Sequence, residues 1–401
     1  MIRKLIGGVL LIAGTSIGAA VLALPVNTAH MGFQRATLCF IASWIFMTYG
    51  ALYLLEANLK VGVDVNLVSI AKKTAGPLAA GMAWLTYLAL LFSLTSAYLT
   101  GATNWLNGIL YQYHLSVPFH YQLSGVTIIT ALLVGMGTRQ VDYINRALMI
   151  GLIGTYLALA FYAFPYIDLS LFEHSEVVLD ATQLPLIITA FGFAIIIPSL
   201  VRYLNGSVLA LKKVVIWGSL IPLFIYLLWQ ALVMGLIPYD NAAYGLKMIQ
   251  MQDKPAADLS LALQQLLNHN WITGATRYFA IFALTTSLLG VTLSLFDFLA
   301  DGFNLSKKGL NRIGLLCLTF IPPYCIVLYY PIGFSITLKF AGLFVAILLG
   351  LLPVWMVWKA RYYHALVSEF EVKGGKAMLY LTGLFFMWII FLEVVNTLNG
   401  I

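Results

Sequence analysis

The sequence predicts an all-α membrane protein of eleven membrane-crossing helices: two blocks of five in opposite orientation and one further helix. Three observations predict it. Hydrophobic residues make up 61% of the 401 residues and charged residues 9%, whereas a soluble domain carries roughly 25% charged residues. The apolar runs are long and continuous, which fits helices, not the short alternating strands of a membrane barrel. The first and sixth runs are each interrupted by glycine and proline at membrane depth.

The first segment, Leu5–Ala29, holds Ala13-Gly14-Thr15-Ser16-Ile17-Gly18-Ala19. Two glycines four apart with hydroxyl residues between them favour a break in the helix. Backbone groups freed at membrane depth are tolerable only toward protein, a cavity or a ligand. A half-helix starting near Gly18 would aim its amides at a carboxylate, and the carbonyls before it would suit an ammonium group or Na⁺. The same glycines also match a GxxxG helix-packing face.

The second segment is Phe33–Glu56. The polar stretch Ala57–Gly76, with Lys60, Asp64, Lys72 and Lys73, reads as a short interfacial helix. The third runs Leu78–Leu106, the fourth Tyr121–Gly137 and the fifth Ala147–Tyr166. An acidic loop with Asp168, Glu173, Glu176 and Asp180 precedes the sixth, Leu184–Tyr203. The seventh is Val214–Ile237, and Pro238–Asn270 is a polar connection expected to hold short helices. Segments eight to eleven are Trp271–Leu299, Ile313–Tyr329, Gly333–Trp358 and Ala377–Leu392. One transmembrane domain spans 1–401, with repeats at about 5–166 and 184–358 and the extra helix at about 377–392.

Seventeen of the 22 Lys and Arg fall on one side when the N-terminus is placed in the cytoplasm. That asymmetry predicts an N-terminus inside and, with an odd number of crossings, a C-terminus outside. It also accounts for the net charge of +7 without nucleic acid. The first segment runs past signal length with no polar domain after it, so no cleavable leader is expected. Cys39, Cys317 and Cys325 lie in apolar segments, and neither they nor the six His residues show metal spacing. No cofactor is expected.

The sixth segment repeats the plan of the first: Phe191-Gly192-Phe193-Ala194, then Pro198-Ser199. Each break opens a block of five segments, and five is odd, so the blocks are inverted. Interrupted helices at matching positions of an inverted repeat mark the central site of a secondary transporter. A channel is the rival class, but it calls for a repeated pore loop. No paired catalytic constellation suggests an enzyme.

The chain resembles the hydroxy/aromatic amino acid permease family, and within it the bacterial tyrosine-specific permeases. The resemblance rests on the stretch from Ala13 to Ala20, Ala23-Leu24-Pro25, Leu54-Leu55-Glu56, Phe191-Gly192-Phe193, Pro198-Ser199, Ile221-Pro222, Trp229-Gln230, the stretch from Thr286 to Gly290 and that from Leu295 to Asp301. It implies a leucine-transporter-like fold in a bacterial inner membrane. It also implies proton-driven uptake of an aromatic amino acid, tyrosine first, with tryptophan or serine/threonine as alternatives. Ala194 stands where the family often has His, so no role for that His carries over.

The candidate substrate site is Gly14, Thr15, Ser16, Ile17, Gly18, Phe191, Gly192, Phe193 and, from the third segment, Tyr98. Ionisable groups at membrane depth are functional candidates. Lys339 is seven residues into segment ten, about 10 Å of helix. There it could replace Na⁺ as a fixed cation or exchange a proton, or snorkel to the surface. Glu56 ends segment two. Asp297 and Asp301, four apart on one face, could gate the cytoplasmic side by pairing with Arg3, Lys4 or Arg202. Thr286 and Ser287 could complete a Na⁺ site or bond between helices. Glu393 reads as interfacial.

Overall fold

A computed structural model describes residues 2–398 apart from 175–180, 243, 253, 268–269 and 331–332. Glu176, Asp180 and His269 therefore lie outside the described residues. Among the described residues, ten helices are long and apolar enough to cross a membrane, and a bent pair at the N-terminus makes an eleventh crossing. The described residues contain no strand.

The first crossing is α1 (Ile2–Ser16) and α2 (Ala20–Thr28), bent by 57° with the 3₁₀ turn that follows α2. The break falls at Ile17-Gly18-Ala19, within the predicted stretch. Next come α3 (Phe33–Val61), the short α4 (Leu67–Ala75) expected between segments two and three, α5 (Pro77–Gln112), α6 (Phe119–Met136) and α7 (Thr138–Ala163). The sixth crossing is α8 (Leu184–Ala190), a 3₁₀ stretch Gly192–Ile196, and α9 (Ile197–Tyr203). After α10 (Val208–Leu236), the polar connection forms α11 (Leu246–Gln252) and α12 (Pro255–Leu267). The chain closes with α13 (Asn270–Gly302), α14 (Gly309–Tyr329), α15 (Phe334–Val345), α16 (Leu352–Tyr362) and α17 (Gly375–Leu398).

Segment ten holds a feature the sequence did not signal: residues Ala346–Leu351, between α15 and α16, form a π-helical turn. Such wide turns are rare and cluster at functional sites. Here the turn pushes the Leu349 carbonyl toward α3. A Cβ on Gly50 would sit 2.5 Å from that oxygen, so only glycine lets the two backbones meet. The Leu349 side chain reaches the space beside Gly192, at the break of the sixth crossing.

The two halves of the first crossing differ in environment. Every residue of α2 is buried, and α11 and α12 pack across it. In contrast, α1 packs along α10 but leaves Leu10, Leu11 and Thr15 exposed.

Candidate functional site

The two breaks meet at a tyrosine. The Tyr226 hydroxyl of α10 lies 2.5 Å from the Ser16 carbonyl and 3.0 Å from the Ala190 carbonyl, donating between them. These are orphan acceptors at the ends of α1 and α8, the groups a broken helix leaves exposed. Tyr226 is buried and its ring meets Phe191 edge-on, with centroids 5.2 Å apart. It thus ties both breaks to segment seven.

On the other side of the first break, the Ala19 N–H donates to Ser287 Oγ of α13 at 2.8 Å. Tyr98 of α5 stands beside the same hydroxyl and near Tyr226. A Cβ on Gly18 would lie 2.5 Å from Ser287 Oγ, so glycine is required for this approach. The Gly18 N–H has no backbone acceptor among the described residues, and Ser16 Oγ is buried without a partner. Segments one, three, six, seven and eight therefore converge on one polar spot inside an apolar core. It offers a free amide donor and an unpaired hydroxyl beside two carbonyls held by one phenol. Such a spot suits a zwitterion, carboxylate toward the amides and ammonium toward the carbonyls.

The structure brings Gly18, Ser16, Tyr98, Ser287 and Phe191 together around this point. Phe193 is buried beside the same break, and Gly192 is partly open. Gly14 and Ile17 are partly exposed at the end of α1. Thr15 is exposed, with its hydroxyl bonded back to the Leu11 carbonyl at 2.7 Å. Thr286 is buried but bonds its own helix at the Ala283 carbonyl, so Ser287 is the hydroxyl of this pair that reaches across. Tyr226 escaped the sequence reading because one tyrosine among 22 in an apolar segment carries no positional signal.

The charged candidates lie away from the breaks. Glu56 is fully buried and bidentate to Arg361 of α16, through Nε at 2.6 Å and through Nη2. It also accepts the Val372 N–H at 2.8 Å, and Lys60 stands 3.8 Å away. Lys60 donates to Glu371 at 3.0 Å, and that hydrogen bond holds the Glu371 carboxyl below its usual range. The cluster clamps α3 to α16 and to the 366–372 loop. A buried carboxylate needs such pairing, because half of the pair alone would be an uncompensated charge.

Two expectations are corrected. Asp297 pairs with Lys307 at 2.7 Å, not with Arg3, Lys4 or Arg202, because the chain turns back after α13 and delivers Lys307 first. Arg202 is taken by Asp64 at 2.9 Å, Lys4 lies over the Tyr203 ring, and Asp301 is exposed. Glu393 is not interfacial: it is 5% exposed on α17 and feels the charge of Lys339 on α15. Lys339 thus stands within electrostatic reach of α17.

The α12 helix over α2 carries a titratable group. Asp258 is largely buried, its Oδ2 lacks a partner among the described residues, and burial raises its pKa to about 6 against the pull of Lys254. The folded value lies above the unfolded one, so the packed state binds more protons. Packing of α12 is therefore favoured at acid pH and loosens as pH rises from about 4 through about 6. Asp258→Asn should remove that slope. Amide exchange of residues 255–267, measured from pH 4.5 to 7.5, should be pH-responsive beyond intrinsic chemistry in the wild type only. The same corrected profile in both proteins would deny Asp258 this role.

The model of the tryptophan/tyrosine permease family matches residues 1–395. The tyrosine-specific transport system 1 of Haemophilus influenzae is 33% identical over 94% of this chain and 93% of its own length. A tryptophan-specific transport protein of the same organism is 30% identical over 94% and 92%. Among solved structures, a single-residue variant of a manganese transporter from Eremococcus coleocola superposes with a TM-score of 0.64 at 14% identity, over 97% of this chain and 85% of that one. That likeness concerns fold alone and agrees with the leucine-transporter-like architecture.

Proposed function

The chain belongs to the tryptophan/tyrosine permease family, and from that premise we propose that it imports an aromatic amino acid, tyrosine first, by proton symport with alternating access. It is a multi-pass membrane protein related to permeases, not to enzymes. The observation that carries the substrate class is the convergence of the Gly18 amide, the Ser16 and Ala190 carbonyls and the ring of Phe191 at the two breaks. Alternating access is supported by the two broken crossings, since α1 with α2 and α8 with α9 are half-helices joined at breaks where the chain can hinge. The two repeats at 5–166 and 184–358 form one domain in a bacterial inner membrane. The excess of positive residues on one side supports an N-terminus in the cytoplasm and a C-terminus outside.

Tryptophan is the second reading, since relatives named for tyrosine and for tryptophan are both about as similar to this chain. Uptake of radiolabelled tyrosine into proteoliposomes under imposed proton or sodium gradients, competed with each amino acid, tests the proposal. Accumulation that a sodium gradient drives and a proton gradient does not would overturn the symport reading. Uptake linear in concentration would indicate a channel.

Phe191 should set the preference for an aromatic side chain. Ring pairs gain about 0.5–1.5 kcal/mol beyond area burial. Phe191→Ala should therefore weaken tyrosine binding about twofold to thirteenfold more than alanine binding. Equal losses in competition assays would reduce Phe191 to packing against Tyr226.

Coupling is assigned to Lys339 with Glu393, the charged groups set within α15 and α17. Glu56 and Asp297 are engaged in ion pairs at the lysine-rich face and serve there as conformational clamps.

A further inference from the structure

A groove of about 710 Å³ runs along the outside of segments ten and eleven. Its floor is Gly383 and Val354, its walls include Trp355, Leu384 and Met387, and Met82 of α5 closes one side. Its lining on segment ten runs from Ile347 to Trp358, about 16 Å at the α-helical rise of 1.5 Å per residue. The lining is apolar except at one end, where Trp358 and Tyr380 sit together with rings 5.2 Å apart. Lys376 stands over that end, its Nζ 5.9 Å from the Trp358 ring and 4.9 Å from the Tyr362 ring. Lys359 and Lys373 flank the same end of α16 and start of α17.

The geometry points to a binding site for one anionic glycerophospholipid of the bilayer leaflet on the lysine-rich face, its acyl chain in the groove and its phosphate at Lys376. Three features select this occupant. The groove has the length and apolarity of an acyl chain but is bounded by three crossings, unlike open helix surface. Trp and Tyr at the mouth occupy the headgroup level, where amphipathic rings concentrate. The cation above them is held over the rings of Trp358 and Tyr362, ready to meet a negative headgroup; basic pockets between helices bind anionic lipid in this way. A bound chain would bear on the transport site. Ile347 and Leu351 of the groove belong to the π-helical turn whose Leu349 lies beside Gly192.

Native mass spectrometry of the intact protein tests this, after exchange into mixed micelles of equal dioleoyl-phosphatidylglycerol and dioleoyl-phosphatidylcholine. The wild type should retain one phosphatidylglycerol in preference to phosphatidylcholine by at least fivefold. Lys376→Glu should erase that preference, whereas Lys376→Arg should keep it. Leu384→Trp, an exposed position on the groove wall, should lower retention of both lipids without burdening the core. Equal retention of the two lipids by the wild type would overturn the assignment. So would unchanged preference in Lys376→Glu, or a dimer that Leu384→Trp dissociates, since the groove would then hold a second copy.

Discussion

Gly18→Leu should abolish substrate binding while the protein still inserts and folds. The argument is local. A Cβ at this position would lie 2.5 Å from Ser287 Oγ, inside any real contact distance. The serine hydroxyl would have to move, and with it the acceptor of the Ala19 N–H and the contact with Tyr98. The added isobutyl group would also cover the Gly18 N–H, the free donor at the break. A buried amide deprived of its partner costs about 1–3 kcal/mol. Several such losses at one spot amount to a fall in affinity of at least a hundredfold. Scintillation proximity binding of radiolabelled tyrosine reads the effect, and monodisperse elution in detergent checks the fold. Normal affinity in Gly18→Leu would move the carboxylate site elsewhere.

Tyr226→Phe belongs to the same logic, and it shows where sequence reading stops. The breaks were legible because glycine and proline interrupt apolar runs, a signal carried by a few neighbouring residues. Gly14, Gly18 and Gly192 could be found from their own surroundings. What joins the breaks was not legible. Tyr226 is 210 residues from Ser16 and 36 from Ala190. Nothing in an apolar helix marks which hydroxyl will reach across. Arg361 likewise meets Glu56 across 305 residues. Counting the lysines and arginines placed both at the same face but could not pair them. The π-helical turn of segment ten left no trace either. It is set by the close approach of Gly50 and by Gly350 against Phe386, contacts that only the assembled bundle creates.

Lys339→Met should uncouple accumulation from exchange. Burying a charge among apolar helices is costly unless it is paired or serves a purpose. Here Lys339 on α15 lies within electrostatic reach of Glu393, which is 5% exposed on α17. Such a pair can take up or release a proton as its surroundings change, because moving either partner alters the balance between the ionised and neutral forms. The surroundings can change, since α15 packs on α8, half of the broken sixth crossing, and the Thr189 hydroxyl of α8 contacts the Leu338 carbonyl at 3.2 Å. Movement of α8 during transport would therefore reach the residue next to Lys339. Met keeps the length of the side chain and drops its charge. Tyrosine counterflow, which needs no driving ion, should persist in Lys339→Met within about twofold, the site at the breaks being untouched. Accumulation driven by an imposed pH gradient should fall at least tenfold, the loss of about 1.4 kcal/mol of coupling or more. Because Met leaves Glu393 buried without its cation, Lys339→Met with Glu393→Gln provides the control: it should restore stability but not accumulation. Wild-type accumulation and an unchanged pH profile in the single variant would make the pair a structural bridge between α15 and α17 and return the proton to Glu56, Asp297 or Asp301.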